Sequence, residues 1–286
     1  MDSPAAMATP LPGRMIVALA RNAGVRLLSV SVPGPATELA DRHRLGPVAR
    51  TRAAEGLVAT ALLSAHIKGE ERLTFDLQAT SPPCAAVFEI NGDGTLRGRF
   101  RPADLPDSAS LAGLLSVSKS LGRTELYRGV AEVRNESVEA ALQRYLHESQ
   151  QADSRVRLAA LLGEDGAVEY ADGLLMERMP HFPPEEFEEL VKTILGDPRR
   201  LFDELALGLF GGESVELVGD AQLRFSCGCS REKVVQMLRS LGAAEIDGIL
   251  TELGSAEVTC HFCNEVYRVE GPELLLIRDS LNQPEA

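Results

Sequence analysis

Four of the five cysteines in this 286-residue chain stand near its carboxyl end as Cys227-Gly-Cys229 and Cys260-His-Phe-Cys263, with thirty residues between the pairs. Four thiolates in two close pairs are a donor set that a tetrahedral Zn²⁺ takes, at about 2.3 Å from each sulfur. The C-x-x-C half reads as a knuckle whose turn aims two sulfurs at one point, and Gly228 reads as the residue that lets the C-x-C half turn tightly. So few cysteines, clustered in this way, exclude a disulfide-rich scaffold. Between the pairs, Ser230 is placed to cap a helix carrying Val234, Val235 and Leu238 that ends at Gly242, and Ile246, Ile249, Leu250 and Leu253 mark a second that ends at Gly254. Val266, Tyr267 and Val269 suggest a strand, and Pro272 opens a last helix. Large side chains are scarce in this stretch, so the metal is expected to supply much of its folding free energy.

The cluster supports two readings. In one, the metal is a permanent clip on a small domain. In the other, the same site is a sensor: four thiolates around one divalent ion leave the sulfur electron-rich and open to oxidants, and every thiol has a sequence neighbour to pair with. Disulfides Cys227–Cys229 and Cys260–Cys263 would close very short loops and, by the chain-entropy argument, would hold little structure in place of the lost metal. On this second reading oxidation melts the module, and the segment before it can melt too.

Upstream, 286 residues at roughly 150 per domain suggest about two units. A hydrophobic share of 44% and a mean hydropathy of −0.04 describe an ordinary globular chain. Met15–Ala20 and Val25–Val32 flank Arg21-Asn-Ala-Gly24 as a hairpin. Ala54, Leu57, Val58, Ala61, Leu62 and Ala65 recur at three- and four-residue steps and predict a helix over 48–67. Strands are expected around Leu73–Leu77, around Ala86–Ile90 before the Asn91-Gly-Asp-Gly94 turn, and over 95–101, 114–117 and 127–133, with a helix over 137–149. From Pro180 the strand signals stop. Phe187, Leu190, Val191, Ile194 and Leu195 line one face of a helix that Gly196 ends, and Asp197-Pro198 caps and opens another carrying Leu201, Phe202, Leu205 and Leu209. That apolar face reads either as the inner side of a solvated connector or as a surface that a switch uncovers. We therefore expect an α+β protein in three parts: a mixed strand-and-helix N-terminal domain over 13–180, an amphipathic helical linker over 181–226, and a small C-terminal zinc-binding module over 227–286.

Charge and motif context narrow the function. Twenty-nine basic against forty-two acidic residues give a net charge of −13, which repels a phosphate backbone. Residues 227–286 alone hold five basic and ten acidic side chains, the wrong sign for a zinc-ribbon nucleic-acid binder. A thiol–disulfide oxidoreductase built on Cys260-His-Phe-Cys263 would need a thioredoxin-like βαβ setting, and only small helices precede the motif. His43, His66, His147 and His181 lack the partners of a nucleophilic triad, so a binding protein and not an enzyme is expected. His261 reads as a knuckle residue turned away from the metal, and Cys84 as an unpaired packing thiol. No apolar run approaches a membrane span and no signal-like segment opens the chain, so no membrane partner and a cytoplasmic location are expected.

Phe225-Ser-Cys-Gly-Cys-Ser-Arg-Glu-Lys-Val-Val235, Leu241-Gly-Ala-Ala-Glu-Ile246 and Val258-Thr-Cys-His-Phe-Cys-Asn-Glu-Val-Tyr267 resemble the carboxy-terminal zinc module of the redox-regulated 33-kilodalton heat-shock chaperone family. The resemblance continues upstream in Ile67-Lys-Gly-Glu-Glu-Arg-Leu-Thr-Phe75, Gly113-Leu-Leu-Ser-Val-Ser-Lys119 and Gly173-Leu-Leu-Met-Glu-Arg-Met-Pro180. The chain departs from the family at Ser149-Gln-Gln-Ala-Asp153, where members usually read Ser-Glu-Gln-Ile-Pro, and in its Met1–Pro12 extension. The resemblance implies an ATP-independent holding chaperone, inactive when reduced, with one Zn²⁺ per chain on Cys227, Cys229, Cys260 and Cys263. It implies activation by oxidative stress, in which disulfides form, zinc leaves, and the module and linker unfold. Unfolding client proteins are the implied partners, with a homodimer in the active form. The linker side chains expected to meet clients are Phe187, Leu190, Val191, Ile194, Leu201, Phe202 and Leu205.

Overall fold

The computed structural model describes residues 12–107, 110–151, 153–194 and 198–281, less the side chains of residues 193 and 194. The chain is α+β and divides into two units, Met1–Ser226 and Cys227–Ala286.

The first unit opens with the expected hairpin, β1 (Gly13–Ala20) and β2 (Val25–Ser31). Helices α1 (Pro33–Arg42) and α2 (Pro47–Leu63) follow, the second running into a 3₁₀ turn at Ser64–His66. Strands β3 (Glu71–Ser81), β4 (Pro83–Asn91), β5 (Thr95–Arg101), β6 (Leu111–Leu121) and β7 (Thr124–Glu136) pair antiparallel in the order β7-β6-β3-β4-β5. Helix α3 (Val138–Glu148) starts at Ser137, whose Oγ accepts the Ala140 N–H at 3.2 Å. The strands β8 (Ser154–Leu162) and β9 (Val168–Arg178) precede helices α4 (Pro184–Ile194) and α5 (Pro198–Ala206). Two short strands, β10 (Leu209–Phe210) and β11 (Glu213–Ser214), then lead to β12 (Glu216–Phe225).

Ten of these strands form one sheet in the order β7-β6-β3-β4-β5-β12-β1-β2-β9-β8. Its two halves meet at β12, which pairs along most of its length with β1 but touches β5 only through Arg224 and Phe225, in parallel. The Ser226 N–H closes the seam on the Leu96 carbonyl at 2.8 Å. Gly94, at φ +79°, permits this approach: a Cβ there would collide with the Gln222 carbonyl.

The β1–β2–β9 part of the sheet is covered on both faces. Val17, Leu28 and Leu175 face the main core, which is filled by Leu57, Val58 and Leu62 of α2 and by Phe75 and Phe88. Their strand neighbours Ile16, Ala18, Leu27, Leu174 and Met176 point the other way, into a second core closed by Phe187, Leu201, Leu205 and Phe210. Helix α2, expected to bury one broad face, is buried nearly all round, consistent with a central helix between layers.

The segment 181–226, read from sequence as a helical linker, is helical only over α4 and α5 and ends as a sheet strand. β12 shows one buried side chain, Leu223, with Gly219 and Asp220 at mid-strand, so periodicity does not mark it. Its partners are distant in sequence, and the pairs Arg14–Asp220 (2.8 Å) and Arg21–Glu216 (2.7 Å) flank the join with β1. The predicted stop at Gly196 and cap at Asp197 lie outside the described residues, as does most of the Met1–Pro12 extension.

The second unit contains α6 (Arg231–Leu241), α7 (Ala243–Glu252), the antiparallel pair β13 (Ser255–Thr259) and β14 (Val266–Glu270), and α8 (Gly271–Leu281). Its core is small: Val234, Leu238, Ile246, Ala256, Val269, Leu274 and Ile277. Leu253 and Leu276 remain more than two-thirds exposed, so apolar burial alone holds this unit weakly.

Candidate metal centre

The β13–β14 ladder carries the C-x-x-C pair. Beyond Thr259–Val266 the chain turns through Cys260-His-Phe-Cys263, with the Cys260 N–H donating to the Glu265 carbonyl and the Asn264 N–H to the Cys260 carbonyl, both at 2.8 Å. Asn264 takes the left-handed conformation at φ +58°, which asparagine tolerates better than most residues. The C-x-C pair lies immediately before α6. Ser230 caps that helix as expected, accepting the Lys233 N–H at 3.4 Å, and the Lys233 ammonium folds back onto the Gly228 carbonyl. Gly228 itself has no positive φ, and a Cβ there would meet only the Lys233 Nζ at 3.5 Å, so this turn does not demand glycine.

These two turns bring all four sulfurs within 4.8 Å of one another. Cys227 and Cys260 are 3.6 Å apart, and Cys229 and Cys263 3.3 Å. Four sulfurs at 2.3 Å from a tetrahedral centre would stand about 3.8 Å apart, so the cluster has the size and the donor set for one zinc ion. Cys263 is buried and the other three are half-buried. His261 is exposed and is not part of the group. Cys84 sits on β4 in the core of the first unit, where burial raises its thiol pKa.

Each sulfur receives a hydrogen bond. The Cys229 N–H serves Cys227, the Cys263 and Phe262 N–H groups serve Cys260, and the Glu265 N–H serves Cys263. Cys229 accepts from a side chain, the Tyr267 hydroxyl, at 3.1 Å. Burial opposes ionisation of Cys260, but the Cys263 and Phe262 N–H groups together with the neighbouring Cys263 and Cys227 thiols outweigh this and bring its thiol down to about 7. Burial pushes Cys227 and Cys263 up. The hydrogen bond to Cys229 holds the Tyr267 hydroxyl well above its usual range. Sequence reading marked Tyr267 only as a strand residue; its position opposite Val258 in the hairpin was the available signal.

The linker side chains lie elsewhere, in the first unit. Phe187, Leu201 and Leu205 are buried in the second core, and Leu190, Val191 and Phe202 pack partly buried around it. The side chain of Ile194 lies outside the described residues. One charged contact pins α5 to the sheet: the wholly buried Asp172 of β9 faces Arg199, Oδ2 to Nη1 at 3.4 Å.

Comparison with known proteins agrees with this arrangement. A family model described as Hsp33 protein matches residues 13–270. A 33 kDa chaperonin of Desulfotalea psychrophila is 31% identical over 267 residues, which cover 85% of this chain and 90% of the relative. One of Pelobacter propionicus is 30% identical over 289 residues, covering 93% and 94%. The crystal structure of the 33 kDa chaperonin of Thermotoga maritima matches with a TM-score of 0.81 at 23% identity, covering 94% of this chain and 98% of that one, and so shares its fold.

Proposed function

This chain belongs to the Hsp33 family, and from that premise we propose that it is a redox-switched, ATP-independent holding chaperone, silent while Cys227, Cys229, Cys260 and Cys263 bind zinc. The observation that carries the reading is the convergence of four sulfurs within 4.8 Å in a unit whose own core is small. Bound zinc would join the C-x-C turn to the β13–β14 hairpin and keep the sulfurs ionised.

The switch follows from thiolate chemistry. A thiolate attacks hydrogen peroxide, the O–O bond breaks, and the sulfur is oxidised to sulfenic acid with hydroxide leaving. A second thiolate then attacks that sulfur, a disulfide forms, and another hydroxide leaves. Two such events consume two peroxides and all four ligands. The short separations run across the pairs, Cys227 to Cys260 and Cys229 to Cys263, yet all four sulfurs lie within reach of one another. We assign the final bonds to Cys227–Cys229 and Cys260–Cys263, the shorter loops, whose closure costs least entropy once the module loosens. Disulfides across the halves would staple the C-x-C turn to the hairpin in zinc's place; disulfides within each half leave the two free to separate.

Loss of the module frees the chain that follows β12, and the release of α4 and α5 from the second core is the next step of this reading. The apolar surface of Phe187, Leu190, Val191, Ile194, Leu201, Phe202 and Leu205, together with the sheet face beneath, then becomes available to unfolding clients. The same reading takes the first unit as the client-binding and dimerising body and places the protein in the cytoplasm, where thiols stay reduced until stress. The acidic charge does not favour nucleic acid. The test is suppression of heat-induced aggregation of an unrelated enzyme. Peroxide-treated protein is expected to suppress it and the reduced zinc form is not, with peptide mapping yielding Cys227–Cys229 and Cys260–Cys263. Equal activity in both forms, or cross-paired disulfides, would contradict the proposal.

A further inference from the structure

Three of the four sulfurs accept hydrogen bonds from backbone N–H groups supplied by their own turns. The donor to Cys229 differs in kind, being the phenol of Tyr267, which reaches it from β14 at 3.1 Å. Resting on the zinc-thiolate reading above, we propose that Tyr267 is a positioning residue of this site: its O–H tempers the Cys229 thiolate and slows the reaction of the reduced site with oxidants.

Geometry and charge support this. Tyr267 faces Val258 across the hairpin, and its ring packs partly buried against the small core of the unit. Phenylalanine would satisfy that packing equally well. The hydroxyl adds only the sulfur contact, a donor aimed at an acceptor that becomes anionic when it binds a metal. A hydrogen bond to a thiolate draws charge from its lone pairs and weakens it as a nucleophile, while outer partners of this sort fix ligand orientation.

The full-length reduced zinc protein and its Tyr267→Phe variant provide the test. Zinc release under excess hydrogen peroxide, followed with a metallochromic dye, is expected to be about 10-fold faster in the variant, the low end for loss of such a partner. In the cobalt-substituted proteins, the variant's sulfur-to-cobalt charge-transfer band is expected to move to lower energy while the ligand-field bands keep their tetrahedral pattern. A purely structural role for Tyr267 would not produce that shift. The retained ligand-field pattern shows that the variant is folded. Unchanged release rate and band position in the folded variant would overturn the assignment. A wild-type protein that bound no zinc, or kept it under peroxide, would instead overturn the chaperone switch itself.

Discussion

Asp172 shows how a single residue can bias the fold toward release. Its carboxylate is wholly buried on β9, its Oδ1 has no hydrogen-bond partner among the described residues, and its Oδ2 faces Arg199 of α5, which is about half exposed. Burial raises the Asp172 pKa more than Arg199 and Ser31 lower it. A carboxyl whose folded pKa is raised binds its proton more tightly when folded, so stability falls as pH rises from the ordinary carboxylate range through that raised value and then levels off. At neutral pH the charge is a burden on the docked segment. The two halves of the pair should therefore respond differently. Asp172→Asn is expected to leave urea stability at pH 7 unchanged or higher, whereas Arg199→Ala, which strands a buried charge, should cost about 1–3 kcal/mol. Equal losses in both variants would contradict this account. None of it was legible in the sequence, because the strand that Asp172 occupies is set by its neighbours β2 and β8. The four cysteines and the Ser230 cap, by contrast, could be read directly, because spacing and capping are local chemistry.

At the scale of elements, the amphipathic helices, the β1–β2 hairpin and the strands β3 to β7 announced themselves, whereas α1, β8, β9 and β12 did not. α4 and α5 carry apolar residues at three- and four-residue steps, so their existence and inner face were predictable. α1 hides behind Pro33-Gly-Pro35, and β12 depends on a register with β1 some two hundred residues away in sequence. The difference bears on mechanism, since the segment before the cysteines is part of the sheet as well as a helical cover. Leu205 is fully buried under α5, and Leu205→Ser should weaken that cover by about 2–5 kcal/mol. Aggregation suppression without any oxidant is the expected result, and a variant as silent as the wild type when reduced would count against α5 as the cover. A milder pair, Ile194→Ser with Phe202→Ser, should change activation or client capture in the same assay. Unchanged behaviour would remove those two side chains from the client surface.

The whole molecule joins two units of unequal stability. The first has a ten-stranded sheet with cores on both faces, and the second, among its described residues, has a core of seven buried apolar side chains and a four-sulfur cluster. A metal that closes such a small unit contributes folding free energy that its side chains do not, so removing the sulfurs from service should melt it while most of the sheet persists. Hydrogen exchange by mass spectrometry, run beside zinc release during peroxide treatment of the full-length protein, tests this most directly. The account predicts that protection over 227–281 disappears as zinc leaves, that α4 and α5 lose protection with it, and that β3, β4 and α2 stay protected. Zinc loss with residues 227–281 still protected would contradict it.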